Sequence, residues 1–163
     1  AQVNNHVNLS LYYCSRFYCI PVPVFTALQF PFSLHFCFPI TQTDMKIFLH
    51  SCGSVKQFIP DLIEVGIDIL NPVQTNSRDM DPESLKKEFG RDIIFWGGGV
   101  DTASVINHGT PEEVRRDVLR RCEIFSKDGG FVFAPIHNIL SEVSPENIVA
   151  VYNAVREFNG NYS

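Results

Sequence analysis

A histidine and a cysteine one residue apart, His50 and Cys52, are the side chains of this sequence best suited to holding a metal ion. Lys46-Ile47-Phe48-Leu49-His50 reads as a short apolar strand. Alternate residues at a strand end point to one side, so both donors could converge on a single zinc. The same pattern also arises from a buried histidine beside an inert cysteine. Asp101 follows Gly97-Gly98-Gly99-Val100. Glycines let backbone approach a ligand closely, which makes Gly98 and Gly99 candidate substrate contacts and Asp101 a candidate catalytic carboxylate. The alternative for Asp101 is a cap on the following helix. Asn71 and Gln74 after a second strand, and Asn138 after a fourth, are polar groups able to reach the same cavity. His108 falls in a turn before a helix cap and reads as exposed, and Trp96 reads as packing.

These residues need a scaffold, and the second half of the chain supplies the pattern of one. Strands are expected at 46–50, 67–71, 93–97 and 131–135, alternating with helices, which implies a parallel sheet. Ser54 could cap a first helix with Val55, Phe58, Ile59, Leu62 and Ile63 at helical spacing, ended by Gly66 and made awkward by Pro60. Three further helices open with one device, a capping side chain, a proline and a glutamate: Asp81-Pro82-Glu83, Thr110-Pro111-Glu112-Glu113 and Ser144-Pro145-Glu146. Val114, Val118, Cys122 and Phe125 form the expected buried stripe of the third of these four helices; Ile148, Tyr152 and Val155 are expected inward on the last. Four β/α units build either an open doubly wound sheet or part of a closed barrel, and periodicity does not separate the two. No G-x-G-x-x-G follows the first strand, so nothing favours a dinucleotide site.

Composition divides the chain near residue 45. Residues 1–45 hold only two charged side chains, Arg16 and Asp44, yet three of the cysteines, Cys14, Cys19 and Cys37. A soluble domain spreads charge over its surface, so this segment is expected to be foreign to the fold, with the ordered pattern starting at Met45, the first methionine. The uncharged run 17–43 is long enough to span a bilayer, but Pro21, Pro23, Pro31 and Pro39 argue against a membrane helix. A net charge of −5 gives no electrostatic footprint for nucleic acid. The one charge cluster, Arg115, Arg116, Arg120 and Arg121 among Glu112, Glu113, Asp117 and Glu123, reads as a solvated helix face. The cysteines form no even framework, which fits a reducing, cytoplasmic setting.

Several strings together resemble the uroporphyrinogen decarboxylase superfamily. They are His50-Ser51-Cys52-Gly53-Ser54, Gly66-Ile67-Asp68-Ile69-Leu70-Asn71-Pro72, Phe95-Trp96-Gly97-Gly98-Gly99-Val100-Asp101-Thr102, Gly109-Thr110-Pro111-Glu112-Glu113-Val114 and Phe133-Ala134-Pro135-Ile136-His137-Asn138-Ile139, followed by Ser144-Pro145-Glu146-Asn147. Their order is similar to the last third of that family, and most similar to its decarboxylase-like members from anaerobic bacteria. The resemblance implies an α/β fold in which 46–163 is the C-terminal half of a (β/α)8 TIM barrel.

The family resemblance implies two chemistries. One is cofactor-free carboxy-lyase action on a tetrapyrrole in porphyrin biosynthesis, with carboxylate-binding groups in the other half of the barrel. The other is methyl transfer from a corrinoid donor to a thiol held by zinc, whose ligands include a His-x-Cys and a late cysteine. His50 and Cys52 match the first two of these ligands, and His137 stands where the late cysteine would. The decarboxylase branch also carries a histidine there, lining the pocket, so His137 fits both readings; packing or capping is its third. The first expectation is therefore a fragment of a tetrapyrrole decarboxylase-like enzyme, and the second a zinc-dependent methyltransferase. The third is a non-catalytic half-barrel that pairs with a second copy or a complementing N-terminal half.

Overall fold

The structure is a computed structural model that describes residues 44–160, together with the backbone of three short strands in the preceding segment. Those are β1 (Leu9–Ser10), β2 (Phe17–Tyr18) and β3 (Pro21–Val22). Then follow β4 (Lys46–Ser51), α1 (Ile59–Glu64), β5 (Ile69–Asn71), α2 (Pro82–Phe89), β6 (Ile94–Trp96), α3 (Val105–His108), α4 (Pro111–Ser126), β7 (Phe131–Val132) and α5 (Pro145–Gly160). Strands β4, β5, β6 and β7 are neighbours in that order and every pair is parallel. The fold class is therefore α/β around a parallel four-stranded sheet. β1 joins β4 antiparallel, and β2 pairs with the start of β4 in parallel. The rest of the segment 1–43 lies outside the described residues, and with it the expectation that 1–45 stands apart from the fold.

The strand register sorts the side chains. Leu49 faces Leu70, and Leu70 faces Phe95, which pairs with Phe131. All four belong to or pack on one apolar core beneath the helices, with Ile47, Val55, Ile59, Leu85 and Phe125. Phe125 of α4 reaches this core, stacked on Phe131 at 5.2 Å between ring centroids and 5.4 Å from Phe95. The stripe Val114, Val118, Cys122 and Phe125 is buried as its spacing predicts. The intervening strand positions, Phe48, His50, Asn71, Ile94 and Trp96, lie on the opposite face and are half-buried.

The three capping devices form. Asp81 accepts from Ser84 N at 2.9 Å, and Ser144 Oγ from Asn147 N at 3.2 Å. Thr110 and Glu113 close a reciprocal capping box. The first helix differs from expectation. Ser54 caps nothing and donates instead to the Arg78 carbonyl, while a single 3₁₀ turn at Lys56–Phe58 precedes α1. Pro60 lies in the first turn of the helix, where its missing N–H costs nothing. On the last helix Ile148 and Val155 pack against the core as predicted, but Tyr152 is 66% exposed, and Asn147, Ala150, Val151, Ala154 and Phe158 are the buried positions. The Asn147 amide donates to the carbonyls of Ile106 and Gly109 at 2.9 and 2.8 Å, which ties the start of α5 to the α3 turn. Strands β5 to β7 are shorter than predicted, and β6 ends where Gly97, at φ 118°, leaves strand geometry. The ladder nonetheless continues through Gly97 N to Val132 O and Gly99 N to Ala134 O.

Phe95 is fully buried at the centre of the sheet and touches the Phe125 ring of α4. Phe95→Ala should lower unfolding free energy by about 3–5 kcal/mol in urea denaturation. A loss below about 1 kcal/mol would mean that the helices do not pack on this row.

Candidate functional site

His50 and Cys52 leave the carboxyl end of β4 on one side of the chain, and their reactive atoms meet: Cys52 Sγ lies 3.4 Å from His50 Nε2. The other ring nitrogen, Nδ1, is 2.6 Å from Asn71 Oδ1 at the end of β5. Asn71 Nδ2 in turn donates to the Trp96 carbonyl at the end of β6, at 2.9 Å. Gln74 steadies the next turn of chain, its Oε1 accepting from Gly53 N at 2.8 Å. Partial burial pushes the Cys52 thiol above its ordinary range, so at neutral pH it is an S–H group. Cys122, held in the helix core, is pushed up to about 11 and serves packing.

The pair has the dimensions of two zinc ligands. A sulfur at about 2.3 Å and an imidazole nitrogen at about 2.0 Å from a tetrahedral zinc lie about 3.5 Å apart. That separation matches the observed 3.4 Å. Among the described residues no group of three or more His, Cys, Asp and Glu is assembled. His137 follows β7 at the same edge of the sheet, but its side chain is exposed, as is that of Asn138, and neither joins the pair.

The other predicted residues are engaged in building the edge itself. The Asp101 carboxylate accepts from Ala103 N, Ser104 N and Ser104 Oγ at 2.8, 3.3 and 2.8 Å, closing the turn ahead of α3, whose N-cap is Ser104. The glycines satisfy close packing: a Cβ on Gly97 would sit 1.9 Å from the Pro72 carbonyl oxygen, and one on Gly99 would meet the Phe133 ring at 2.4 Å. Gly98, at φ 78°, turns its carbonyl to Arg121 at 3.1 Å. His108 is exposed at the end of α3, and Trp96 packs edge-on against Phe48 at 5.4 Å.

One reading of the charges is corrected. Arg121 and Asp117 are not part of a solvated face; their side chains are 13% and 18% exposed and paired through Nε at 2.8 Å. Arg121 also donates to Thr75 Oγ1, and Asp117 accepts from Asp101 N at 3.2 Å. One helix turn therefore clasps the loops after β5 and β6. The signal was in the spacing: at 100° per residue, Arg121 falls about 20° from Val114, inside the buried stripe.

A parallel β/α sheet with its polar groups gathered at the carboxyl edge is the layout of α/β enzymes whose ligands bind at that edge. Within that class, the chain belongs to the uroporphyrinogen decarboxylase (URO-D) family, whose profile matches residues 16–158. The match begins inside the segment that composition set apart. Uroporphyrinogen decarboxylase from Pseudoalteromonas translucida is 44% identical over 71 residues, which make up 44% of this chain and 20% of that protein. A methyltransferase from Methanosarcina mazei has a similar fold, with a TM-score of 0.58 at 21% identity over 80% of this chain and 35% of the other. The chain thus spans one fifth of that curated relative and about a third of that structure. Among the described residues no helix is long and apolar enough to cross a membrane.

Arg121→Met leaves Asp117 charged, shielded and unpaired. It should cost about 3 kcal/mol in urea denaturation, and Arg121→Met with Asp117→Leu should cost less than the single change. A double variant weaker than the single one would show that the clasp acts through hydrogen bonds to the loops and not through the charge pair.

Proposed function

We propose that residues 46–163 are the C-terminal half of a (β/α)8 barrel whose site holds zinc through His50 and Cys52, as part of a thiol-directed methyltransferase-like enzyme. The observation that carries this reading is the 3.4 Å approach of Cys52 Sγ to His50 Nε2 at the carboxyl edge of the sheet. The four parallel β/α units support the half-barrel. When bound, zinc would act as a Lewis acid that lowers the pKa of an acceptor thiol and holds the thiolate. The chain's own residues have simpler tasks. His50 offers a nitrogen lone pair, Cys52 gives up its proton and supplies negative charge, and Gln74 holds the turn that carries Cys52. The wall that admits a corrinoid methyl donor would belong to the other half of the barrel. That half, or a second copy of this chain, would also cover the face bearing Phe48, Ile94 and Trp96.

Tetrapyrrole decarboxylation is the second reading, and its support is the 44% identity to a curated uroporphyrinogen decarboxylase. In that case no metal takes part. His137, Gln74 and Asn138 would face substrate carboxylates and pyrrole nitrogens from the same edge, and protein charges would stabilise the protonated pyrrole while carbon dioxide leaves.

Zinc titration against a chromophoric chelator separates the two. The chain should bind about one zinc, with affinity rising with pH because Cys52 must release its proton. Cys52→Ala should weaken binding at least about tenfold. Unchanged zinc affinity in Cys52→Ala rejects the metal site, and uroporphyrinogen turnover insensitive to that substitution would establish the second reading.

A further inference from the structure

We infer that Asn71 is a positioning residue that locks His50 in the tautomer with the proton on Nδ1, so that the Nε2 lone pair is turned permanently toward Cys52. The inference rests on the reading of His50 and Cys52 as a ligand pair, and deepens it by naming what orients the nitrogen donor.

The argument runs through one carbonyl. Trp96 O can only accept, so the Asn71 side-chain group 2.9 Å from it must be the NH₂. The amide orientation is thereby fixed by chemistry, whichever way its atoms would be assigned from shape alone. Oδ1 is left facing His50 Nδ1 at 2.6 Å. An amide oxygen is an acceptor, and two acceptors at that distance would repel, so Nδ1 carries the hydrogen. A neutral imidazole has one N–H, so Nε2 holds the lone pair. Nε2 is the atom 3.4 Å from Cys52 Sγ.

The strand register delivers this arrangement. His50 pairs with Asn71 across β4 and β5, and the next positions after the Leu70–Phe95 pair of β5 and β6 are Asn71 and Trp96. The three residues form one row across three parallel strands. A histidine that ligates a metal through one nitrogen commonly donates its other N–H to an oxygen acceptor, which orients the ring and raises its basicity. Asn71 is placed to be that acceptor, and its own orientation is set by backbone that no side-chain change can remove.

The test reads the tautomer in the metal-free chain. Long-range ¹H–¹⁵N correlation spectra of ¹⁵N-histidine-labelled protein are recorded about 1.5 pH units above the ordinary histidine pKa, with the His50 signals assigned through His50→Gln. The wild type should show Nδ1 protonated and Nε2 bare. Asn71→Leu, of similar volume, should shift His50 toward the Nε2–H form and weaken zinc binding by about 10–100-fold, with Cys52 unchanged. Asn71→Asp keeps an acceptor facing Nδ1 but sets its other oxygen against the Trp96 carbonyl, so it should keep the wild-type tautomer at a cost in stability. An Nε2–H tautomer in the wild type overturns the inference, even if every variant fails to fold. So does a tautomer that Asn71→Leu leaves unchanged in a folded protein. An Asn71-dependent Nδ1–H tautomer in a chain that binds no zinc leaves the inference standing and removes the ligand-pair reading instead.

Discussion

The pairing register of β4, β5 and β6 governs both what holds the molecule together and what it can do. Because side chains alternate along a strand, one row of paired residues faces the helices and the next faces the opposite side. Leu49, Leu70 and Phe95 form the first row, and His50, Asn71 and Trp96 the second. A slip of one residue would move Leu70 to the site and Asn71 into the core, exchanging a stabilising contact for a buried amide without partners. Selection for a dry core therefore also fixes the polar row, and the site inherits the rigidity of the sheet.

The loops beyond the strands are held by a different means. Gly97 and Gly99 let the Pro72 carbonyl and the Phe133 ring come within distances that any Cβ would block. Arg121 and Asp117 then bind those loops from behind, through Thr75, the Gly98 carbonyl and the Asp101 amide. Charges placed in a helix's buried stripe are costly unless paired and hydrogen-bonded, and here both conditions are met. The edge of the sheet is thus stiffened on the helix side, opposite the row that carries His50.

Much of this was legible in the residues. Strand positions, three caps and the α4 stripe follow from local rules that tertiary contacts do not override. The His50–Cys52 pair follows from strand alternation, because a period of two puts both donors on one side. On α5, Ile148 and Val155 pack inward as their apolar side chains predict, whereas Tyr152 was misplaced, and the inward place of polar Asn147 rests on two carbonyls distant in sequence. Asp101 carried an ambiguity that spacing cannot resolve, since a carboxylate after a strand caps or reacts with equal sequence support. The role of Asn71 was not visible at all: it depends on a carbonyl 25 residues away, and only register brings the two together.

The central claim is that His50 and Cys52 act as one two-donor unit, and X-ray absorption at the zinc edge reads donor types directly. The zinc-loaded chain should show one sulfur at about 2.3 Å and at least one imidazole nitrogen at about 2.0 Å, with Cys52→Ala losing the sulfur and His50→Gln losing that nitrogen. A first shell of oxygen alone, or one whose sulfur survives Cys52→Ala, would contradict the account.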